Sequence, residues 1–99
     1  MITVLFFESE GKPSGFEIKG HALFAAHGSD IVCSAASSAA IMAANTITEV
    51  FGEPVEVQAG EGHLLLKGAK SQSSQGVLSG LKLHLQQLAE QYPANITVS

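Results

Sequence analysis

The sequence predicts an α+β fold, a two-layer sandwich with the order β-β-α-β-β-α-β, in which two helices pack on a mostly antiparallel or mixed sheet. Three observations predict it. Strand-like segments occur in pairs, a glycine-bearing turn joins the members of each pair, and a helical segment follows each pair. With 99 residues, of which 45% are apolar, residues 1–99 have the size and composition of a single domain with one core.

The first pair of strands occupies the N-terminal twenty residues. ITVLFF, residues 2–7, is β-branched and aromatic, which is typical of a well-buried strand. ESEGKPSG follows as a hairpin loop. FEIKG then alternates, which predicts that Phe16 and Ile18 point inward, and this second strand ends at His21.

A long helix is predicted over residues 31–51, where Gly52 and Pro54 stop it. Six alanines lie between Ala35 and Ala44. Small side chains let another backbone approach closely, so we expect this helix to be central in the fold. A helix of this composition also suits packing against a second copy of itself, and we expect the chain to self-associate.

The second half repeats the element order. VEVQA alternates, GEG turns the chain, and HLLLK returns as a strand. A second helix is predicted over residues 75–92 from apolar residues at helical spacing, and Pro93 ends it. NITV completes the order as an edge strand. The apolar positions of this helix are Leu78, Leu81, Leu85, Leu88 and Tyr92.

The charge pattern argues against direct binding to nucleic acid. The net charge is −4, there is no arginine, and the five lysines are scattered along the chain. Proteins that follow a phosphate backbone use clustered basic groups, above all arginine. An acidic surface is better suited to a basic polypeptide partner.

The cysteine count and the N-terminus predict a cytoplasmic protein. The single cysteine excludes an internal disulfide framework and fits a reducing compartment. MITVLFFESE lacks the basic start of a signal peptide. No apolar run is expected to approach the roughly 20 residues that span a bilayer, so no membrane association is expected.

The stretch GHALFAAHGSDIVCSAAS contains the only thiol, Cys33. With Asp30 or Ser29 as N-cap, Cys33 is predicted in the first helical turn, where the helix dipole favours the reactive thiolate. His21 is a candidate general base and acid for it. A packed, unreactive cysteine is the simpler interpretation of Cys33 taken alone.

Three further residues of this stretch are candidate supporting or substrate-binding residues. Asp30 is either a plain cap or a group that orients an imidazole. Gly28 gives the loop a permissive backbone position. Ser37, four residues after Cys33, either hydrogen-bonds near the thiol or returns its hydroxyl to a helical carbonyl. A metal site built from His21, His27 and Cys33 matches no standard ligand spacing, and no metal or other cofactor is expected.

The same stretch resembles the signature of the Prp family, the ribosomal-processing cysteine proteases of bacteria. The family shows Gly-His-Ala, a loop ending in Gly-x-Asp-Ile-Val-Cys, and then Ala-Ala-Val-Ser. Ser34 and Ala36 depart from it, since Ala and Val are common there. The matching residues are Gly20, His21, Ala22, Gly28, Asp30, Ile31, Val32, Cys33, Ala35 and Ser37.

The resemblance implies a thiol protease with Cys33 as nucleophile and His21 as base and acid. It further implies a homodimer that removes a short N-terminal extension from the twenty-seventh protein of the large ribosomal subunit. Two other interpretations remain open. One is a non-catalytic dimeric module that binds a ribosomal protein or an assembly intermediate, and the other is a redox sensor with one exposed cysteine.

Overall fold

The described part of the chain shows the predicted order of elements. The computed structural model describes residues 1–20 and 27–99, with residues 27–30 described as backbone only. A π-helical turn, Thr46–Val50, continues the first helix directly. The elements are strands β1 (Ile2–Ser9) and β2 (Lys12–Lys19), helix α1 (His27–Asn45), strands β3 (Glu56–Gly60) and β4 (His63–Lys67), helix α2 (Gln72–Gln91) and strand β5 (Ile96–Val98).

The five strands form one mixed sheet in the order β3-β4-β2-β1-β5. Strand β5 runs parallel to β1, and the other neighbours are antiparallel. The β1–β2 turn is tight, because Glu10 and Gly11 both have positive φ, at 55° and 78°, as in a two-residue type I′ turn. The α+β class and the mixed sheet are therefore confirmed.

The core lies between one face of the sheet and the two helices. Phe16 and Ile18 point into it as predicted. The expectation that residues 2–7 are buried throughout is wrong, because the helices cover only one face of the sheet, and Leu5 on the other face is 42% exposed. The strand residues of the core are Ile2, Val4, Phe6, Phe16, Ile18, Leu66 and Ile96, and the α2 residues are Leu78, Leu81 and Leu85.

Helix α1 contributes its small residues to this core. Four of the six alanines are buried there, together with Val32 and Ile47. The opposite side of the helix and of its π-helical continuation carries exposed apolar residues, among them Ile41, Met42 and Val50. The buried alanines are Ala36, Ala40, Ala43 and Ala44.

One expectation about apolar runs is wrong. Ile31–Val50 is a 20-residue helical window with mean hydropathy 1.4, long and apolar enough by those two measures to cross a membrane. Only 33% of the window is buried. A search for uninterrupted apolar runs does not find this window, because serine and threonine interrupt the apolar residues without adding charge. The buried part of this window, which includes Val32, Ala36 and Ala40, belongs to the core of the domain.

Candidate active site

Cys33 lies in the second turn of α1, not in the first. The helix begins at His27, four residues before the predicted start, and Cys33 is its seventh residue. The unsatisfied amides of a helix belong to its first turn, so the amide of Cys33 is not among them. The prediction that Cys33 occupies the first turn is therefore wrong.

The same helix start changes the places of two candidate residues. Gly28 lies in the first turn of α1 and not in a loop, and Asp30 lies within the helix and is not its N-cap. Ser and Asp are favourable both as N-caps and within the first turn, so the sequence signal does not separate these positions. Their side-chain roles fall outside the described residues.

The structure brings Cys33 and Ser37 together. The Sγ atom of Cys33 lies 3.9 Å from the Oγ atom of Ser37, within hydrogen-bond distance for sulfur, and either atom can donate. The two residues are one turn apart on the same face of α1, as their spacing predicts. Cys33 is half-buried, so its sulfur combines a polar neighbour with access from solvent.

Cys33 and Ser37 line a cleft of about 260 Å³ between α1 and strands β2 and β4 of the sheet. The walls are largely apolar. Ala40 and Ile41 continue the helical wall, and Ile18 and Leu64 come from strands β2 and β4. An apolar cleft with few polar groups is the usual form of a site that holds part of a ligand.

The third side of the cleft is the β3–β4 turn with the end of β2. The amide of Gly20 donates a hydrogen bond of 3.1 Å to the carbonyl of Gly62, which joins these two segments. Gly20 has φ of 78°, and a Cβ added there would lie 2.5 Å from the carbonyl oxygen of Met1. Glycine is therefore required where the chain passes the cleft.

His21, the predicted base, lies outside the described residues, and so does the contact between it and Cys33. The metal alternative likewise depends on His21 and on the side chain of His27.

Sequence reasoning missed the contribution of the β3–β4 turn. Gly60, Glu61 and Gly62 all line the cleft, although they are more than 25 residues from Cys33 in sequence. The missing information was the strand order: β4 pairs with β2, with His63 opposite Lys19, which brings the turn beside Gly20. The GEG motif predicts the turn, but it does not indicate that the turn lies beside Gly20.

His63 makes a side-chain contact with Glu17 that the sequence did not signal. Its Nε2 atom lies 2.6 Å from Oε2 of Glu17. Glu17 and Lys19 alternate with the buried Ile18, so this pair belongs to the face of the sheet away from the helices. His63 also lines the cleft that holds the thiol, while its Nε2 atom contacts Glu17.

Comparison with known proteins assigns this arrangement to a family. The family model for cysteine protease Prp matches residues 1–97. A Staphylococcus aureus protein, described as the essential ribosomal processing protease Prp, is similar over the whole chain in two structures. The complex with a substrate peptide has a TM-score of 0.90 at 28% identity, and the complex with a covalently linked product peptide has 0.86 at 29%. Both cover 100% of this chain and 98% of the other.

A protein of Streptococcus mutans is similar to the same extent. Its structure has a TM-score of 0.88 at 25% identity and covers 100% of this chain and 92% of its own. None of the curated proteins matches this chain.

Proposed function

This chain belongs to the family of Prp cysteine proteases and is a cysteine peptidase, and on that premise we propose that it removes the N-terminal extension of the twenty-seventh protein of the large ribosomal subunit. The reaction is peptide hydrolysis through a dyad of Cys33 and His21. The enzyme acts as a homodimer in the cytoplasm, where ribosomal proteins are made.

The observation that carries the proposal is the setting of the only thiol. Cys33 is half-buried at the side of an apolar cleft, with its sulfur accessible and the hydroxyl of Ser37 beside it. A merely packed cysteine would be enclosed by the core, as its neighbour Val32 is at 0% exposure. Gly20, which precedes His21 in the chain, lines the same cleft, and this supports His21 as the base.

The proposed mechanism is acyl transfer in two stages. His21 accepts the thiol proton while Sγ of Cys33 attacks the carbonyl carbon of the scissile bond. The C–N bond breaks, and the protonated His21 gives that proton to the departing amine. Water, deprotonated by His21, then attacks the thioester, which releases the new carboxylate and restores the thiol.

Cleavage of a synthetic peptide that spans the extension tests this function. Cys33→Ala should lower kcat by at least about 10⁴-fold, and Cys33→Ser should be nearly as inactive, because a hydroxyl is a weak nucleophile at neutral pH. His21→Ala should lower kcat by about 10²- to 10⁴-fold. His84→Ala is the matched control on α2 and should cleave at the wild-type rate. Wild-type cleavage by either dyad variant would contradict the assignment.

Alkylation separates the enzyme from a non-catalytic module that only binds a ribosomal protein. In the enzyme, iodoacetamide should label Cys33 rapidly near neutral pH and abolish cleavage in proportion to the labelling. A binding module would retain its affinity for the peptide after full labelling, and its thiol would react no faster than free cysteine.

A further inference from the structure

The β3–β4 turn carries an acidic side chain at the cleft that holds Cys33. Glu61 is exposed, and it lies among the residues that line this cleft. Some of the other carboxylates have partners inside the chain. Glu17 binds His63 and Glu53 binds the start of α2, so both serve the fold. Glu61 instead lies where an occupant of the cleft would meet it.

The backbone that carries Glu61 is held in place on both sides. Gly60 and His63 pair with each other across the two strands, and His63 also pairs with Lys19 of β2. The carbonyl of Gly62 accepts the hydrogen bond from Gly20. Because these pairings and this hydrogen bond flank Glu61, its backbone keeps a fixed position relative to the cleft. A residue on a long loop would lack these constraints.

The apolar walls of the cleft suit the stem of a cationic side chain that would reach Glu61. Ile41 and Leu64 belong to the apolar walls of the same cleft. A lysine or arginine has an apolar stem that packs on such walls while its charged end stays at the rim.

We propose that Glu61 is a specificity-determining residue that binds a lysine or arginine side chain of the peptide substrate near the cleavage site. The inference rests on the proposed protease function and adds one requirement to it: a basic residue at one fixed position relative to the scissile bond. The net charge of −4 favours the approach of such a peptide in general, whereas Glu61 acts at one position.

A lysine scan of the peptide tests this requirement. A parent peptide spanning the extension has every basic residue near the cut replaced by alanine, and single lysines are returned one position at a time. For the wild-type enzyme, one position should raise kcat/KM by about three- to five-fold, the range expected for an accessible ion pair. This gain should disappear in Glu61→Gln and decrease at 0.5 M salt.

Charge reversal makes the test sharper. Glu61→Lys should lose the preference for lysine at that position and prefer glutamate there by a similar factor. Glu56→Lys is the control, since it makes the same charge change on the same hairpin, outside the cleft. It should keep the wild-type preference, because general electrostatic attraction changes equally in both variants.

Two outcomes would overturn the inference and leave the protease function intact. One is a Glu61→Gln enzyme that cleaves all peptides of the scan as the wild type does. The other is an equal loss of kcat with every peptide, including the parent without lysine, which would mean that Glu61 acts on the enzyme's own groups. Loss of all cleavage in Cys33→Ala alongside either result shows that the proposed function stands.

Discussion

The Sγ atom of Cys33 lies 3.9 Å from the Oγ atom of Ser37, one helical turn further along α1. A hydroxyl at this distance can donate a hydrogen bond to the thiolate once it forms. Hydrogen bonds to charged groups are stronger than those between neutral groups. The pair therefore links the reactivity of the sulfur to a residue that takes no covalent part in the reaction.

Replacing Ser37 by alanine should slow the reactions of Cys33. Alkylation of Cys33 by iodoacetamide near neutral pH and kcat for peptide cleavage should both fall, by about three- to ten-fold, because the thiolate loses a donor. The free energy of unfolding should not decrease, since alanine has the higher helix propensity.

Ser38→Ala is the matched control for that variant. Ser38 is exposed and lies next to Ser37 on α1, but outside the cleft. The same change of residue type there should leave alkylation and cleavage at wild-type values. Equal rates for wild type and Ser37→Ala would show that the hydroxyl does not act on the sulfur.

Replacing Gly20 by alanine should destabilise the protein at the cleft. The variant forces a side chain onto a φ of 78° and directs its Cβ toward the carbonyl of Met1. Gly11 has the same φ of 78° with nothing within 4 Å of an added Cβ, so Gly11→Ala isolates the conformational cost. We expect about 1 kcal/mol for Gly11→Ala and about 2–3 kcal/mol for Gly20→Ala in urea unfolding.

Activity should separate the two glycine variants further. Gly20 lines the cleft and precedes His21, so Gly20→Ala should lower kcat/KM under conditions where it is fully folded. Gly11→Ala, at the remote β1–β2 turn, should retain wild-type cleavage. If the two variants lose equal stability and activity, the contact with Met1 does not constrain this part of the chain.

The exposed apolar side of α1 predicts how the proposed homodimer forms. Met42 is 62% exposed and Val50 is 75% exposed on this helix and its π-helical continuation. Met42→Glu should dissociate the dimer in sedimentation velocity experiments, because a charge within an apolar interface lacks a partner. Leu83→Glu, at a 56% exposed apolar residue on α2, should leave the dimer intact. A monomeric wild type would contradict the proposed dimer.

The sequence predicted those parts of the fold that depend on periodicity. Alternation placed Phe16 and Ile18 inward, and helical spacing placed Leu78 and Leu85 in the core. Periodicity does not say which face of a strand is covered. Leu5 has the same residue type as the buried Leu66, and its exposure follows only from the helices lying on one side.

The helix starts and the set of residues that line the cleft could not be predicted from the sequence, for a related reason. Ser29 and Asp30 fit both a cap and a first turn, so the start of α1 was placed four residues late. The second helix was likewise placed three residues late, because several serines precede it and Ser71 is the one that caps it, by accepting from the amide of Ser74. The cleft takes Glu61 from a turn whose position depends on strand order, which no local pattern contains.

Glu53 joins the end of the α1 segment to the start of α2. Its carboxylate accepts hydrogen bonds from the backbone amides of Lys70 and Ser71, at 2.6 and 3.1 Å, and from the hydroxyls of Ser71 and Ser74, at 2.6 and 2.5 Å. A carboxylate at a helix N-terminus also complements the helix dipole. These hydrogen bonds lower the pKa of Glu53 from 4.5 to about 2. The backbone amide of Lys70 has the largest effect, followed by the hydroxyls of Ser71 and Ser74.

The lowered pKa fixes the pH range in which Glu53 stabilises the fold. A group whose pKa is lower in the folded state contributes its full stability above its unfolded pKa of 4.5 and loses it as the pH falls toward 2. Glu53→Gln should therefore reduce the free energy of unfolding at pH 7 by about 1–2 kcal/mol, since a partly exposed carboxylate is screened by solvent. The difference from wild type should shrink between pH 4.5 and pH 2.

Urea unfolding at several pH values measures that difference directly. Glu56→Gln is the control, because the carboxylate of Glu56 is exposed and, among the described residues, accepts only from the side-chain amide of Gln58. Its unfolding curve should stay within about 0.5 kcal/mol of wild type across the pH range. The prediction would be wrong if the difference in free energy of unfolding between wild type and Glu53→Gln were as large at pH 2 as at pH 7. The charge of the carboxylate would then make no contribution to stability.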